Sequence, residues 1–273
     1  MKKTLIVAAM LSIVALASAP ALANLSNIIW TENWESYAVD QYLPNYPSSP
    51  WLMNTQVTGS YTATSGTIRN AQSISPTKSW KMGSAGVTPA ESSRIGRTTG
   101  LNMSNVNQVR VSAWMYCGAA GNAARGFVGF QNVTGAGAFN TTNALVRIGT
   151  SASNSVITLN WYTGALQSKT WTGLSLGDKW TYLEITMKKA AGSNWDLNYL
   201  IKKQDGTVID QGTAATYAWD AANANYVVLG YQSGSTSLQY WDDVTLSIPE
   251  PGSLLALGTG LLGLFGFIRR RRA

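Results

Sequence analysis

The chain has 273 residues, no histidine and one cysteine, Cys117, and charged residues make up only 12% of it. Those absences exclude nucleophilic centres built on histidine, zinc sites of Cys and His and any intrachain disulfide. The formal charge of +7 sits mostly at the two ends: without Lys2, Lys3, Arg269 to Arg272 and Glu250, 14 basic residues face 12 acidic ones. No basic cluster follows any segment of that near-neutral middle, so nucleic acid has no electrostatic footprint here.

Read in chain order, Lys2 and Lys3 come first, then an apolar run from Leu5 to Leu16, then Ala21-Leu22-Ala23. That is the pattern of a secretory signal peptide over residues 1–23, with Ala21 and Ala23 marking the cleavage site. A first membrane anchor is the plainer alternative, although the run is short and ends in small residues. The stretch 24–247 is long enough for one sizeable core. Within it, 31–89 is the least regular part, rich in Pro, Ser and Thr, and predicts long loops between edge strands.

From Val109 onward, period-two alternation broken by Gly, Ser and Asn predicts strands and turns. Val109, Val111, Ala113, Met115 and Cys117 share one face, and Arg110, Ser112, Trp114 and Tyr116 the other. Cys117 reads as a buried small hydrophobe. Shorter strands are expected over 126–131, 144–149 and 156–161. Over 180–188, Leu183, Ile185 and Met187 alternate with Tyr182, Glu184 and Thr186. Gln204-Asp205-Gly206 joins strands 197–203 and 207–211 as a hairpin turn. Strands over 226–231 and 238–246 complete about ten. With no crossover helices, they predict two antiparallel sheets packed as a sandwich.

The tail, 248–273, carries three signals in order. Pro249-Glu250-Pro251 is a rigid extended breaker. Gly252 to Ile268 is uncharged and Leu/Gly-rich, and as a helix would reach roughly 25 Å, the short end of a membrane span. Arg269, Arg270, Arg271 and Arg272 then form a positive block that stays on the cytoplasmic side. This order resembles the PEP-CTERM sorting signal of Gram-negative bacteria, recognised by a membrane-embedded exosortase. The resemblance implies export by the Sec machinery, an inner-membrane-anchored precursor with a transmembrane helix, and delivery to the cell surface or extracellular matrix. A plain C-terminal anchor helix following two prolines is the alternative.

A second resemblance spans most of 24–247. Thr31 to Tyr37 is similar to the opening of concanavalin A-like, laminin-G-like jelly rolls, Ser79 to Met82 to their next strand, and Val109 to Met115 and Gly177 to Leu183 to their central strands. Tyr240-Trp241-Asp242-Asp243-Val244-Thr245-Leu246 is similar to the closing strand. The fold class expected is therefore an all-β concanavalin-like jelly roll between a signal peptide and a transmembrane helix. By the same resemblance, Glu35 and Asp243 on neighbouring first and last strands would hold a structural calcium, with Glu32 and Asp242 as alternates and carbonyls or water completing the shell. Solvent-facing acids paired with Lys or Arg are the other reading.

Two further classes of site are weighed on the residues themselves. Eleven tryptophans and twelve tyrosines suit the apolar faces of sugars as well as a core. A groove reading selects Trp114, Tyr116, Trp161 and Tyr162, whereas Trp34, Trp180 and Trp241 are assigned to core or edge packing. For catalysis, a retaining glycosidase needs two carboxyls about 5 Å apart, and the run of alternating acids that concanavalin-like glucanases place on one strand is missing. No catalytic residue is assigned. The function expected is a non-enzymatic, surface-sorted envelope, matrix or biofilm protein that binds or organises exopolysaccharide. A structural or adhesive component without sugar recognition, or a divergent glycoside hydrolase, are the alternatives.

Overall fold

The computed structural model describes residues 26–40, 49–53, 67–82, 93–118, 126–134, 138–140, 144–151, 153–231 and 238–249. The sandwich is the unit Ile28–Leu246; of the second unit, Met1–Asn27 with Ser247–Ala273, only the outer ends of the first and last strands are described. The signal peptide, its Ala21 and Ala23 site, the apolar tail span, Glu250, Pro251 and the arginine block all lie outside the described residues. Among the described residues no helix is long and apolar enough to cross a membrane.

The strands are β1 (Ser26–Glu32), β2 (Trp51–Met53), β3 (Thr67–Arg69), β4 (Ser79–Met82), β5 (Ser93–Thr98), β6 (Gln108–Cys117), β7 (Gly126–Thr134) and β8 (Ala138–Asn140). They continue as β9 (Val146–Ser151), β10 (Ser153–Tyr162), β11 (Leu166–Trp171), β12 (Lys179–Lys189), β13 (Trp195–Lys203), β14 (Val208–Tyr217), β15 (Tyr226–Tyr231) and β16 (Gln239–Pro249). One sheet runs β14-β13-β12-β6-β16-β4-β3, with β1 also on β16; the other runs β11-β10-β9-β7-β15-β5-β2, with β8 on β7. The first is called sheet A below and the second sheet B. The architecture is all-β, two antiparallel sheets, as in a jelly roll.

Alternation decides which side chains meet between the sheets. Val109, Val111, Ala113, Met115 and Cys117 of β6 and Leu183, Ile185 and Met187 of β12 are fully buried there. Sheet B answers with Val128, Phe130, Val146, Ile148, Ile157 and Leu159. Burial also pushes the Cys117 thiol up to about 12, which keeps it protonated and inert at neutral pH. The β13–β14 hairpin turns where expected: Gly206 takes φ 87° and the Asp205 carboxylate accepts from Thr207 N at 2.8 Å.

The irregular stretch 31–89 supplies edges, as predicted, with β2 ending sheet B and β3 ending sheet A. It also supplies a cross-sheet lock. Glu32 of β1 is 6% exposed. Its carboxylate accepts from Trp34 N (3.2 Å), Tyr37 OH (3.2 Å) and Trp51 Nε1 (3.1 Å), and pairs with Arg97 at 3.3 Å. Trp51 and Arg97 belong to sheet B, so one buried carboxylate ties strands of both sheets together. Trp34 and Trp80 pack beside this lock with ring centroids 5.9 Å apart.

Candidate functional site

The outward face of sheet A is a grid fixed by register. Trp114, Tyr182 and Lys202 lie abreast on β6, β12 and β13. The next outward row is Ser112, Glu184 and Leu200, and the one after it Arg110, Thr186 and Asn198. Trp114 and Tyr182 meet edge to face at 5.3 Å, and the Lys202 ammonium stands 4.2 Å from the Tyr182 ring and 5.8 Å from Trp114. The Tyr182 hydroxyl donates to Glu184 at 2.8 Å. Burial, reinforced by that neighbouring negative charge, pushes its pKa far above the usual tyrosine value. Glu184 also pairs with Arg110 at 3.5 Å. A half-buried indole beside a tyrosine ring and an ammonium can stack on a sugar face and bond its edge.

The four aromatic candidates do not converge. Trp114 holds this face, half-buried. Tyr116 is on the same face, but only 9% exposed, because Trp180 and Tyr240 crowd its ring at 5.5 and 5.8 Å and Ile74 and Leu238 pack over the trio. Its hydroxyl donates to Asp178, and burial together with that carboxylate raises its pKa to about 12. Trp161 and Tyr162 belong to β10 in sheet B. The parity of that strand puts Trp161 with Ile157 and Leu159 in the core, so the grouping of these two with Trp114 is corrected. Trp34 and Trp241 are fully buried, as assigned; Trp180 is buried in the outer aromatic trio rather than between the sheets.

The second candidate lies where β16 changes partner. β4 pairs with β16 only as far as Trp241, and beyond it β1 takes over, with Thr31 and Thr245 hydroxyls 3.1 Å apart. At the changeover Asp243 has φ 47°, a left-handed kink, and the neighbouring Asp242 side chain is fully buried. The Asp242 carboxylate accepts from the amides of Ile74, Ser75 and Asp243, each at 2.8 Å. Burial outweighs those donors and raises its pKa to about 6. Glu35 accepts from Thr77 N (2.9 Å), Thr77 Oγ1 (2.6 Å) and Lys78 N (2.8 Å). Burial works to raise its pKa, but the Thr77 and Lys78 donors prevail and hold it below the usual carboxylate value.

Ser75 Oγ sits between these two carboxylates. Within reach of it are Asp242 Oδ1 (2.7 Å) and Oδ2 (2.9 Å), the carbonyls of Asn33 and Lys78 (both 3.1 Å) and Glu35 Oε1 (3.4 Å). A hydroxyl has one proton to give, so five acceptors crowd around a single hydrogen. Together with Ser75 Oγ they are six oxygens, the lower end of what calcium takes, but Oγ occupies the centre of the cluster and both carboxylates already accept amide N–H, so an ion would have to displace those bonds. Among the described residues no three Asp, Glu or Cys side chains come together; carbonyls and the hydroxyl must supply the balance. Of the two aspartates expected near Glu35, Asp242, the alternate, shares Ser75 Oγ with it. Asp243 is close enough that burial and then the Glu35 charge raise its pKa. Glu32 belongs to the cross-sheet lock instead.

Sequence reasoning missed Ser75, Tyr182, Glu184 and Lys202. The last three share the outward parity of their strands, a signal present in the alternation. Ser75 lies in a loop without periodicity and had no such signal.

The fold is a sandwich of two antiparallel sheets, as in a jelly roll. It is similar to a marine alginate lyase from Aplysia kurodai, at 10% identity over 82% of this chain and 100% of that one, with a TM-score of 0.58. It is also similar to the binding domain of botulinum neurotoxin DC in complex with rat synaptotagmin II, at 16% identity over 72% of this chain and 46% of that one (TM-score 0.43). A third is an endo-β-1,4-glucuronan lyase from the fungus Trichoderma reesei, at 10% identity over 81% and 95% (TM-score 0.47). At these identities the likeness is one of fold alone. No curated protein matches the sequence. Residues 247–272 match the PEP-CTERM protein-sorting motif. That motif implies export and processing at the membrane.

Proposed function

We propose that the protein is a non-enzymatic component of the cell surface or extracellular matrix that binds or organises exopolysaccharide through the outward face of sheet A. The sorting motif supplies the route. The observation that carries the binding reading is the half-buried Trp114 ring meeting Tyr182 edge to face, with the Lys202 ammonium beside both. Glu184, the acid at the centre of the grid, is engaged by Arg110 and Tyr182, which favours a positioning role over proton transfer to a ligand. Pull-down of the purified full chain on insoluble polysaccharides, including the producing cell's own polymer, tests the reading. Retention that Trp114→Ala abolishes supports it, and no retention on any polymer refutes it.

Calcium, in this proposal, is structural. Glu35, Asp242, Ser75 and the carbonyls of Asn33 and Lys78 would hold it, fastening the segment after β1 and the loop between β3 and β4 to the closing strand. A second reading, a purely structural matrix component, draws support from the enclosure of Tyr116 and Trp161, each 9% exposed, which leaves a small aromatic platform.

A further inference from the structure

The charges around the Trp114 platform are not balanced by the protein. Among the described residues, Lys202 has no carboxylate within ion-pair distance; its ammonium rests on the Tyr182 and Trp114 rings instead. Arg110 and, a row further along, Lys188 are the other cations of the face. The Arg110 Nε is buried without a hydrogen-bond acceptor, although Glu184 Oε1 lies 3.5 Å away, at ion-pair range. The acids of the same face are already engaged. Glu184 accepts from Tyr182 OH, with Thr186 Oγ1 also 3.4 Å away, and Asp196, a further row along, accepts from Thr216 at 2.6 Å.

Resting on the reading of this face as a glycan platform, we infer that its ligand is an acidic polysaccharide, one carrying carboxylates, and that Lys202 is the residue that reads the charge. A cation held over aromatic rings is partly desolvated. An incoming anion then gains more from it than from a lysine standing free in water. Neutral sugars would stack on Trp114 but leave the Lys202 ammonium without an acceptor. A carboxylate supplies the missing acceptor in a charge-assisted bond. Strand geometry places Lys202 and Arg110 roughly 16 Å apart across three strands, so a ligand that reaches both must be an oligomer of several units. Ser112 and Thr186, both buried, floor the space between, and the half-buried Asn198 borders it.

The test compares polygalacturonate with its fully methyl-esterified form, which keeps the sugar faces and removes the charge. Binding is measured on the full-length protein in detergent by affinity electrophoresis at low and high salt. The expected result is about tenfold tighter binding of the free acid, shrinking as salt screens the contact. Lys202→Gln should bring the two polymers within about twofold of each other, and Trp114→Ala should weaken binding to both. Equal affinity of the wild type for acid and ester overturns the inference and leaves the glycan reading standing. An undiminished preference in Lys202→Gln overturns the role of that residue. Binding to neither polymer, set beside retention on neutral glycans, overturns the acidic assignment; binding to no glycan at all removes the reading beneath it.

Discussion

Removing the Glu32 carboxylate should cost more than any other single polar change in the sandwich. Glu32→Ala leaves the Arg97 guanidinium, the Trp51 indole N–H and the Tyr37 hydroxyl without their shared acceptor, all in a buried space between β1, β2 and β5. Breaking one side of a buried pair typically costs about 3–5 kcal/mol, because the partner charge stays behind uncompensated. For a domain of this size that is a fall in Tm of about 6–20 °C. Thermal or urea unfolding followed by tryptophan fluorescence measures it. A second readout is local. The Tyr37 pKa is raised to about 12 by burial and then by the Glu32 charge and hydrogen bond. Spectrophotometric titration of Glu32→Ala should therefore show one tyrosine ionising at lower pH than in the wild type, still above the ordinary value because burial remains. The paired change Arg97→Met should couple to it, the double variant losing less than the sum of the singles. A loss below about 1 kcal/mol with an unchanged tyrosine titration would refute the claim that this carboxylate ties the sheets together.

Tyr37 and Tyr116 both hold their protons more tightly folded than unfolded. The stability they add is complete below their ordinary pKa, near 10, and is lost as pH rises from about 10 through 12; a flat alkaline stability profile would contradict their burial. Millimolar calcium should stabilise the wild type and not Asp242→Asn, by about 2.7 kcal/mol at a hundredfold excess over Kd; an equal response in both would remove Asp242 from the cation site. Lys78→Met strips the ammonium from the carbonyls of Glu35 (2.8 Å) and Tyr37 (2.7 Å) and should cost about 1–3 kcal/mol in chemical denaturation. Gly149→Ala would set a methyl 1.9 Å from the Gly126 carbonyl oxygen of the neighbouring strand. Its expected penalty in the same assay is about 1–3 kcal/mol or more, since backbone must move.

Strands whose two faces differ sharply were legible in the sequence. The alternations in β6 and β12 gave both their extent and their orientation, and Asp205-Gly206 placed the hairpin. The short strands β2, β3, β5 and β8 were not read from the alternation. Three to six residues carry too little periodicity, and pairing with a neighbour, not their own pattern, makes them strands. β11 went unread because it is an edge strand, largely exposed, with Leu166 facing solvent. The groove residues were read by type rather than by parity. Trp161 follows Ile157 and Leu159 at even spacing, so the same rule that placed Trp114 outward would have placed Trp161 inward. Asp242 and Asp243 could not be told apart, because the kink at Asp243 breaks the alternation that would decide which of them turns in. The chemistry of Ser75 arises only when the loop before β4 folds back onto β16, a contact between residues about 167 positions apart.

The claim on which the account rests is that this sandwich is cargo delivered outside the inner membrane and trimmed there. Mass spectrometry of the protein recovered from the producing cell's surface and medium tests it most directly. The account predicts a chain beginning at or near Asn24 and ending at or near Pro249, with Glu250→Ala or Pro251→Ala accumulating a longer, membrane-bound precursor. Full-length protein carrying Met1 through Ala273, recovered from the cytosol of wild-type cells as the dominant species, would contradict it.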